Sequence, residues 1–288
     1  CMVEFRPMAD GGYRQGFAGD TFNMAWYLRR RLPGDWSVDY VTALGDDAMS
    51  DRMLGFMAEA GIGTGHVARL PGLAPGLYVI ALQDGERSFS YWRGQSAARQ
   101  LAADPDRLSA ALAGAEVLVL SGITLAILPA ADRPTLLTAL AAARRAGARV
   151  VFDPNLRPRL WEDAATMRDW ITRAAALADV VLPSFDDDRQ HFGDPTPKAC
   201  AQRYRAAGAG LVVVKDGPGP VLWLDDSGSG RVGTPPVAPV VDTTAAGDSF
   251  NAGFLAAWLT GADMAQAVAR GSDLAARVIQ APGALVPV

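Results

Sequence analysis

Apolar runs alternate with amphipathic helical patterns over most of the chain. After Ala97 these runs predict strands at 116–121, 149–152, 180–182 and 211–214. The segments between them predict helices at 105–113, 126–146, 164–178 and 197–207. Strands that are apolar along their whole length are buried on both faces, as in a parallel sheet flanked by helices. The pattern therefore predicts an α/β fold with a doubly wound, mostly parallel sheet, whose ligands bind at the carboxyl ends of the strands.

The stretch before Ala97 is less regular. Residues 1–5 resemble the end of a strand, and a polar, glycine-rich connection is predicted over 10–19. A further strand is predicted at 37–44, ahead of an amphipathic helix. Because the chain starts at Cys1 rather than at a methionine, we expect that residues of the first strand precede it.

Two short alternating runs, 77–82 and 88–92, flank Asp84-Gly85, which is a common hairpin turn. A hairpin inserted between α/β units cannot easily join a parallel main sheet. We therefore expect it to combine with the N-terminal strand into a small β-lid, formed by roughly 1–18 and 74–98. A lid of this kind excludes water and orders the reactants.

Three side chains at the ends of this hairpin are candidates for substrate binding: Tyr78, Tyr91 and Arg93. Packing within the hairpin explains the two tyrosines equally well. Further along the chain, a strand is predicted at 221–224, a flexible hairpin loop at 225–230 and a last helix at 264–280.

Composition narrows the class of protein. The 288 residues suffice for one large α/β domain, and we predict a single domain over 1–288. A net charge of −4 without any basic block argues against a nucleic-acid partner. No apolar run approaches the roughly 18 residues of a membrane span. Two cysteines are too few for a disulfide framework, so a reducing cytoplasm is expected.

The segment 240–254 carries the strongest chemical signal. It narrows to the small residues Ala245, Ala246 and Gly247, and Asp248 then opens a helix. Small residues ahead of a helix let an anion approach the unpaired N–H groups of its first turn, where the helix dipole also favours negative charge. A carboxylate beside such an anion hole is expected for phosphoryl transfer to a hydroxyl, with Asp248 as the base. The alternative is that Asp248 only caps the helix.

Polar residues also follow the strand predicted at 149–152. Asp153, Asn155 and Arg157 occupy every second position after it and could all face the crevice. The alternative is a charged loop with a local ion pair. Because loops at this edge of such sheets carry function, we favour ligand contacts.

The next two strands end in polar residues as well. Three adjacent acids, 186–188, either hold Mg²⁺ through water or start a solvated helix. After 211–214, Lys215 could neutralise phosphate charge, and Gly217 and Gly219 permit close approach to a nucleotide. A tight turn explains the glycines equally well.

The full run Asp242-Thr-Thr-Ala-Ala-Gly-Asp-Ser-Phe-Asn-Ala-Gly-Phe254 closely resembles the C-terminal signature of the ribokinase-like sugar kinases, the phosphofructokinase B superfamily. In that family the glycine-rich turn forms the anion hole, and the aspartate matching Asp248 is the catalytic base. The resemblance therefore implies catalytic roles for Ala245, Ala246 and Gly247 beside Asp248. Many members have glycine where Ala245 stands.

A second segment resembles the family motif Gly-Gly-Asp-x-x-Asn, with Ala18 in place of the first glycine. The family uses this motif to hold sugar hydroxyls, so Gly19, Asp20 and Asn23 are implied substrate ligands. The resemblance covers nearly the whole chain and implies a ribokinase-like fold that uses ATP and Mg²⁺. It also implies a homo-oligomer, which we expect to assemble through the strand edges of the β-lid.

For the nucleotide we predict contacts along the strand ends and the last helix, from Asn155, Ser184, Lys215, Gly217, Gly219 and Ala275. Ala275 would wall an adenine pocket, although packing alone explains it too. Many ribokinase-like proteins carry Asn-x-x-Glu near the metal site, where this chain has Ser184-Phe-Asp-Asp187. Asp187 is the predicted metal residue, acting through water.

Several stretches most resemble the 2-keto-3-deoxygluconate kinases, among them Ser90-Tyr-Trp-Arg93, Ser121-Gly-Ile-Thr124 and Asp153-Pro-Asn-Leu-Arg-Pro-Arg-Leu-Trp161. In that subfamily the arginines matching Arg93 and Arg157 bind the sugar acid, and a guanidinium suits a carboxylate in charge and geometry. The resemblance implies phosphorylation of the C6 hydroxyl of 2-keto-3-deoxy-D-gluconate, with Asp153 also at the substrate. The alternatives are a kinase of a neutral ketose such as fructose or of another sugar acid, and a catalytically silent sugar or nucleotide sensor.

Overall fold

A computed structural model describes residues 1–8, 10–83 and 86–288. Its strands are β1 (Met2–Pro7), β2 (Tyr13–Ala18), β3 (Thr42–Leu44), β4 (Val67–Arg69), β5 (Leu77–Gln83), β6 (Glu86–Trp92), β7 (Val117–Ser121), β8 (Arg149–Asp153), β9 (Val180–Val181), β10 (Leu211–Val214), β11 (Val221–Leu224) and β12 (Ser229–Val232). Its α-helices are α1 (Asp20–Arg31), α2 (Ala48–Glu59), α3 (Pro105–Leu112), α4 (Gly122–Ile127), α5 (Arg133–Arg145), α6 (Ala164–Leu177), α7 (Phe185–Phe192), α8 (Pro197–Ala207), α9 (Ala246–Leu259) and α10 (Met264–Val278). In the part of the chain that these ranges cover, no helix is long and apolar enough to cross a membrane.

Six strands form the main sheet, in the order β12-β11-β10-β9-β8-β7. Strands β7 to β10 run parallel, and β11 and β12 add an antiparallel edge. Because successive side chains of a strand point to opposite faces, Val151 and Val213 enter a core with α1, α9 and α10. Val150 and Val212 enter a second core with α5, α6 and α8. Helices cover both faces of the sheet, which confirms the predicted α/β architecture.

A second sheet of four strands, here called the lid sheet, has the order β2-β1-β5-β6. Strand β1 pairs antiparallel with β2 and parallel with β5, and β5 pairs antiparallel with β6. One face packs on the main body through Val3 and Phe17, whose ring centroid lies 5.3 Å from that of Phe56 in α2. The opposite face carries Tyr78, paired across the strands with Tyr91. The turn predicted at Asp84-Gly85 lies outside the described residues.

The connection predicted over 10–19 is wrong, because β2 occupies most of it. Gly11 and Gly12 lie in the turn between the two strands, where Met8 N–H donates to the carbonyl of Gly12 at 2.9 Å, whereas Gly16 lies within β2. Beyond that turn, Tyr13, Gln15 and Phe17 alternate with their neighbours in the period of a strand. Pairing with β1 over six residues satisfies the backbone of this short segment.

The single helix predicted over 126–146 is also wrong. Helix α4 ends at Ile127, α5 begins at Arg133, and Pro129 lies between them. Proline lacks an N–H and disfavours helical backbone in the residue before it. Leu128 accordingly has an extended ψ of 147°. The break lets α4 begin directly after β7, at the edge of the sheet where ligands are expected.

Two smaller differences concern strand lengths. The strand predicted at 37–44 is regular only in the three residues of β3, which pair with the equally short β4. The loop predicted at 225–230 is a tight turn, in which Asp225 Oδ1 accepts from the N–H groups of Ser227 and Gly228. Strand β12 begins directly after that turn, at Ser229.

Helices α9 and α10 lie against each other at two glycines. A Cβ at Gly253 would lie 2.8 Å from the carbonyl oxygen of Arg270 and 3.1 Å from the Cα of Gly271. A Cβ at Gly271 would lie 2.8 Å from the carbonyl oxygen of Phe250. Real Cβ atoms do not approach backbone this closely, so the close crossing depends on both residues being glycine. This contact fixes the direction of α9, whose first turn reaches the site.

Candidate active site

The carboxyl ends of the parallel strands open into a cleft of about 1280 Å³. Four polar residues stand side by side along this edge. Ser121 of β7 is paired with Asp153 of β8, and Ser184 after β9 forms a bridge to Lys215 after β10. The N-terminal turns of α1 and α9 and one face of the lid sheet line the same cleft. Strand ends and helix N-termini therefore meet at one place, as the fold class predicts.

The segment that leads into α9, residues 243–247, is here called the α9 turn. Asp242 fixes it, because Oδ1 accepts from Thr244 N–H at 3.0 Å and Oδ2 accepts from Gly283 N–H at 2.6 Å. Ala245 has a φ of 60°, a left-handed conformation that costs a residue with a Cβ about 1–2 kcal/mol. In the first helical turn that follows, Ala246 N–H donates to the Thr243 carbonyl at 3.2 Å, and the N–H groups of Gly247 and Asp248 have no partners within the helix. The α9 turn thus suits an anion, at the positive end of the helix dipole.

Asp248 lies half-buried in the first turn of α9, at the floor of the cleft. Its Oδ2 accepts a hydrogen bond of 2.8 Å from Asn23 Nδ2. The pKa of Asp248 is raised to about 7, first by burial and then by the negative charge of Asp20. Asp153 raises it further, whereas the Asn23 hydrogen bond and the positive charge of Lys215 lower it. A carboxylate with a pKa near neutrality is well matched to accept a proton from a hydroxyl.

Asp20 begins α1 and is held by polar side chains from two strand ends. Its Oδ2 accepts from Ser121 Oγ at 2.5 Å and from Asn155 Nδ2 at 2.9 Å. Asn155, which the sequence assigned to the nucleotide, is thus bound to a residue assigned to the sugar. One turn after Asp20, Asn23 donates to Asp248, so α1 brings a carboxylate and an amide to the base.

A second network lies on the other side of Asp248. Asp153, at the end of β8, is buried, and its Oδ2 accepts from Asn251 Nδ2 at 2.7 Å. Lys215 Nζ donates to Asn251 Oδ1 at 2.9 Å and lies 3.4 Å from the same Asp153 oxygen. The Lys215 ammonium therefore stands between a carboxylate and the α9 turn. Asp153 is paired with Lys215 and Asn251 as well as facing the cleft.

The predicted lid residues differ in what their side chains contact. Tyr78 is buried, and its hydroxyl donates to Glu4, so only the ring faces the cleft. Burial and the neighbouring Glu4 carboxylate raise the pKa of Tyr78. Tyr91 is 48% exposed, and the guanidinium of Arg93 lies 4.4 Å from its ring centroid. Burial lowers the pKa of Arg93, and no described carboxylate lies within ion-pair distance of it. Arg93 is thus a cation at the cleft that is available to an anionic ligand.

The loop after β8 contains two residues in left-handed backbone, Asn155 with a φ of 32° and Arg157 with a φ of 44°. Arg157 is exposed, and its Nη1 lies 3.6 Å from Asp187 Oδ2 at the start of α7. An exposed ion pair at this distance contributes about 0–1 kcal/mol and yields easily to a stronger partner. Arg157 and Asp187 are therefore both within reach of a ligand in the cleft.

The residues predicted from the sequence meet at this cleft with one exception. Those that line it are Gly19, Asp20, Asn23, Tyr78, Tyr91, Arg93, Asp153, Asn155, Arg157, Ser184, Asp187, Lys215, Gly217, Ala245, Ala246, Gly247, Asp248 and Ala275. Gly219 does not line the cleft. Its N–H donates to the carbonyl of Asp216 at 2.7 Å, and a Cβ there would lie 3.0 Å from the same oxygen. Gly219 is required by the tight turn before β11, which was the alternative considered for it.

Two residues of the site were not predicted. Asn251 lies three positions after Asp248, and this helical spacing could have placed it on the same face of α9. Ser121 is the last residue of a predicted strand, where polar side chains face the ligand edge. Asn251 contacts Lys215 and Asp153, and Ser121 contacts Asp20. These partners are 36 or more positions away in the sequence, so the contacts themselves follow only from the fold.

The chain is similar to a known protein family, to characterised proteins and to solved structures. A model of the pfkB family carbohydrate kinases matches residues 3–288. A 2-dehydro-3-deoxygluconokinase from Dickeya dadantii is 39% identical, over 100% of this chain and 95% of that protein. A PfkB protein from Polaromonas sp. JS666 has a similar structure, with a TM-score of 0.86 and 34% identity over 97% of this chain and 93% of the other. A fructokinase with bound ATP from Xylella fastidiosa gives a TM-score of 0.84 and 26% identity, with coverages of 98% and 91%. The family match over nearly the whole length, together with these likenesses, shows that the chain belongs to the pfkB family of carbohydrate kinases.

Proposed function

We propose that this protein is an ATP-dependent kinase of 2-keto-3-deoxy-D-gluconate, with the C6 hydroxyl as acceptor. The observation that carries the proposal is one cleft that holds a base, Asp248, and two arginines, Arg93 and Arg157. The base suits a hydroxyl, and the guanidinium groups suit the carboxylate at the other end of a sugar acid. The likeness to the Dickeya dadantii 2-dehydro-3-deoxygluconokinase, whose name denotes the same substrate, supports this choice.

In the proposed reaction, Asp248 accepts the proton of the C6 hydroxyl while that oxygen attacks the γ-phosphorus of ATP. The bond between this phosphorus and the bridging oxygen breaks, and ADP leaves with the electron pair. Asn23 fixes the orientation of the carboxylate through its hydrogen bond. With a pKa of about 7, Asp248 is ionised in a useful fraction of molecules at neutral pH and still accepts a proton well.

The α9 turn and Lys215 would hold the phosphate that is transferred. The Ala246 N–H donates to the Thr243 carbonyl at 3.2 Å, which leaves the N–H groups of Gly247 and Asp248 for the phosphate. These donors are fixed before the substrates bind, because Asp242 anchors the turn. Donors that are already in place cost no reorganisation when charge builds up on the transferring group. Positioning and electrostatics of this kind are expected to supply most of the rate enhancement in phosphoryl transfer.

Recognition of the sugar acid is assigned to both sides of the cleft. Asp20 and Asn23 would bind hydroxyls of the sugar, with Asp20 oriented by Ser121 and Asn155. Arg93 would bind the carboxylate from the lid side, where the Tyr91 ring supports its guanidinium. Arg157 would leave its weak contact with Asp187 to bind the substrate or the phosphate.

The residues present also fit the use of Mg²⁺. Asp187 is half-buried beside the cleft, and its only described ion pair is the long contact to Arg157. Mg²⁺ keeps several waters and is commonly held by one or two carboxylates together with substrate phosphates. Asp187 would hold the ion through water, and the ion would neutralise part of the phosphate charge.

We further propose that the lid sheet closes over the sugar and also joins two copies of the chain. On this sheet Trp92 is 59% exposed and Tyr13 is 53% exposed, and the edge strands offer unpaired backbone groups. A second copy would cover both features. The proposal places the protein in the cytoplasm, where ATP is available and the two unpaired cysteines stay reduced.

The direct test of the mechanism is Asp248→Asn. Loss of a general base lowers turnover by roughly 100- to 10,000-fold, and because the amide keeps the shape of the site, the KM for ATP should change little. ADP release would be measured with a saturating sugar acid. An Asp248→Asn protein that keeps more than about a tenth of wild-type turnover would remove Asp248 as the base.

A kinase of neutral ketoses is the second candidate. It is favoured by the likeness to the Xylella fastidiosa fructokinase, which covers nearly the whole chain. The two candidates share Asp248 and the α9 turn, and differ in what Arg93 does. In a fructokinase no substrate carboxylate would pair with that guanidinium, so its replacement would leave the KM for fructose nearly unchanged.

A further inference from the structure

We propose that Asn251 is a positioning residue, which holds the Lys215 ammonium next to the α9 turn and keeps it from moving closer to Asp153. The inference rests on the proposed kinase function and assigns a role to a residue that the mechanism above does not use. In this role Asn251 touches neither substrate. It acts through Lys215, the cation that meets the transferred phosphate.

The argument starts from the hydrogen bonds of the Asn251 amide. Its side chain is fully buried, one turn after Asp248. Nδ2 donates to Asp153 Oδ2 at 2.7 Å, and Oδ1 accepts from Lys215 Nζ at 2.9 Å. A carboxylate only accepts and an ammonium only donates, so one orientation of the amide satisfies both neighbours and the reverse orientation satisfies neither. The amide is therefore locked between two opposite charges.

The ammonium of Lys215 is left with one donor for a ligand. It carries three N–H donors, of which one goes to Asn251 and a longer one, at 3.4 Å, to Asp153. A Cβ built on Gly247 would lie 3.6 Å from Nζ, so the ammonium is directly next to the α9 turn. An anion held by the N–H groups of that turn lies within reach of the third donor.

An amide is the side chain that this place requires. Without it, the buried Asp153 carboxylate, which already lies 3.4 Å from Nζ, would draw the ammonium closer and away from the turn. Close opposite charges attract strongly in a site that excludes water. A carboxylate at position 251 would neutralise the cation instead. A neutral group that donates to one neighbour and accepts from the other keeps both charges in place.

The position of Lys215 also affects the base. The charged groups that face Asp248 are Asp20 from α1, Asp153 from β8 and Lys215 from the end of β10. Of these only Lys215 stabilises the ionised form of Asp248. If the ammonium moves toward Asp153, the pKa of Asp248 rises, and the acid limb of the activity profile moves to higher pH. Asn251 thus connects phosphate binding with the pH dependence of the reaction.

The test compares wild type, Asn251→Leu, Lys215→Met and the double variant in steady-state kinetics from about pH 5.5 to 9. Asn251→Leu is expected to lower kcat/KM for ATP about 10- to 100-fold, by loss of a placed charge on the phosphate. The KM for the sugar acid should stay within about twofold, since its ligands are untouched. The acid limb should rise by about half a pH unit, the effect of moving one charge by a few ångströms.

The double variant separates positioning from packing. If Asn251 acts through Lys215, the kcat/KM for ATP of the double variant is less than about threefold below that of Lys215→Met alone, because the two losses are not additive. A merely structural role predicts the full additional loss. Phe254→Leu is the matched control, since Phe254 is equally buried on the same helix and away from the cleft. It should lower stability and leave the acid limb unchanged.

Asn251→Asp serves if the leucine variant does not fold, because aspartate keeps the size of the side chain. It should lose as much kcat/KM for ATP and also raise the acid limb. Wild-type ATP kinetics and an unmoved acid limb in either variant, or additive losses in the double variant, would overturn the inference. These outcomes differ from failure of the proposed function, in which the wild-type protein itself would not phosphorylate the sugar acid or would not need Asp248.

Discussion

The Asp248 carboxylate is half-buried and has two negatively charged neighbours, Asp20 and Asp153. Burial and these charges raise the pKa of Asp248, to about 7 from an ordinary value of 3.8. Between these two values the folded protein binds more protons at this position than the unfolded chain does. The free energy of unfolding that this group contributes therefore falls as the pH rises from about 4 to about 7. At higher pH the ionised carboxylate destabilises the fold.

The prediction is that Asp248→Asn raises the melting temperature at pH 8, because the amide carries no charge to desolvate. The gain should shrink as the pH is lowered and vanish below about pH 3, where the wild-type carboxylate is protonated in both states. Thermal unfolding of both proteins at several pH values measures this. A gain that is the same at pH 5 and pH 8, or a loss at pH 8, would contradict the raised pKa of Asp248.

Residues of this kind differ in how far the sequence reveals them. Asp248 and the α9 turn were predictable, because small residues followed by an acid at a helix start form a local pattern within a few positions. The Asn251 bridge was not, because Asp153 and Lys215 come from elements that are 98 and 36 positions away. The sequence also does not reveal whether the Tyr78 hydroxyl is available to a ligand. In the structure it donates to Glu4 on a neighbouring strand.

At the scale of elements, the crossing of α9 and α10 decides where the α9 turn lies. Gly253→Ala would place a methyl group 2.8 Å from a carbonyl oxygen of α10, so the helices must separate. The expected cost is about 1–3 kcal/mol in the free energy of unfolding. Because α9 carries Asp248 at its start, turnover should fall as well. Denaturant unfolding and kinetics measure the two effects.

Gly55→Ala is the matched control for that prediction. Gly55 lies in the interior of α2, is exposed, and a Cβ there would meet no atom within 4 Å. The alanine should raise the free energy of unfolding by about 0.5–1 kcal/mol, because alanine favours a helix over glycine. Equal changes in the two variants would show that the close packing of α9 on α10 does not contribute.

The elements themselves were largely predictable where the pattern was long and periodic. The buried strands of the main sheet and the helices between them were found, because apolar runs and helical spacing are both local signals. Strand β2 was not predicted, since Gly16, its polar residues and the glycines just before it resemble a loop until β1 pairs with it. The single helix predicted over 126–146 is wrong because the prediction followed the helical spacing of the apolar residues and not Pro129, at which the helix is interrupted.

At the scale of the whole molecule, the proposed function depends on two ends of one cleft. In the proposal the α9 turn and Asp248 meet the phosphates and Arg93 meets the sugar acid, and all of them line the cleft. Family membership accounts for the first end, since phosphoryl transfer to a hydroxyl is common to the family. The second end decides which sugar is used, and the guanidinium of Arg93 has no described carboxylate partner of its own.

The most direct measurement is ATP-dependent ADP release by wild type and Arg93→Met with 2-keto-3-deoxygluconate, fructose, ribose and gluconate. We predict strong preference of the wild type for the keto-deoxy acid. In Arg93→Met the KM for that acid should rise about 10- to 100-fold, the loss of a charged hydrogen bond, while any activity on fructose stays unchanged. Equal or better turnover of fructose by the wild type, together with an unchanged KM for the acid in Arg93→Met, would contradict the assignment as a sugar-acid kinase.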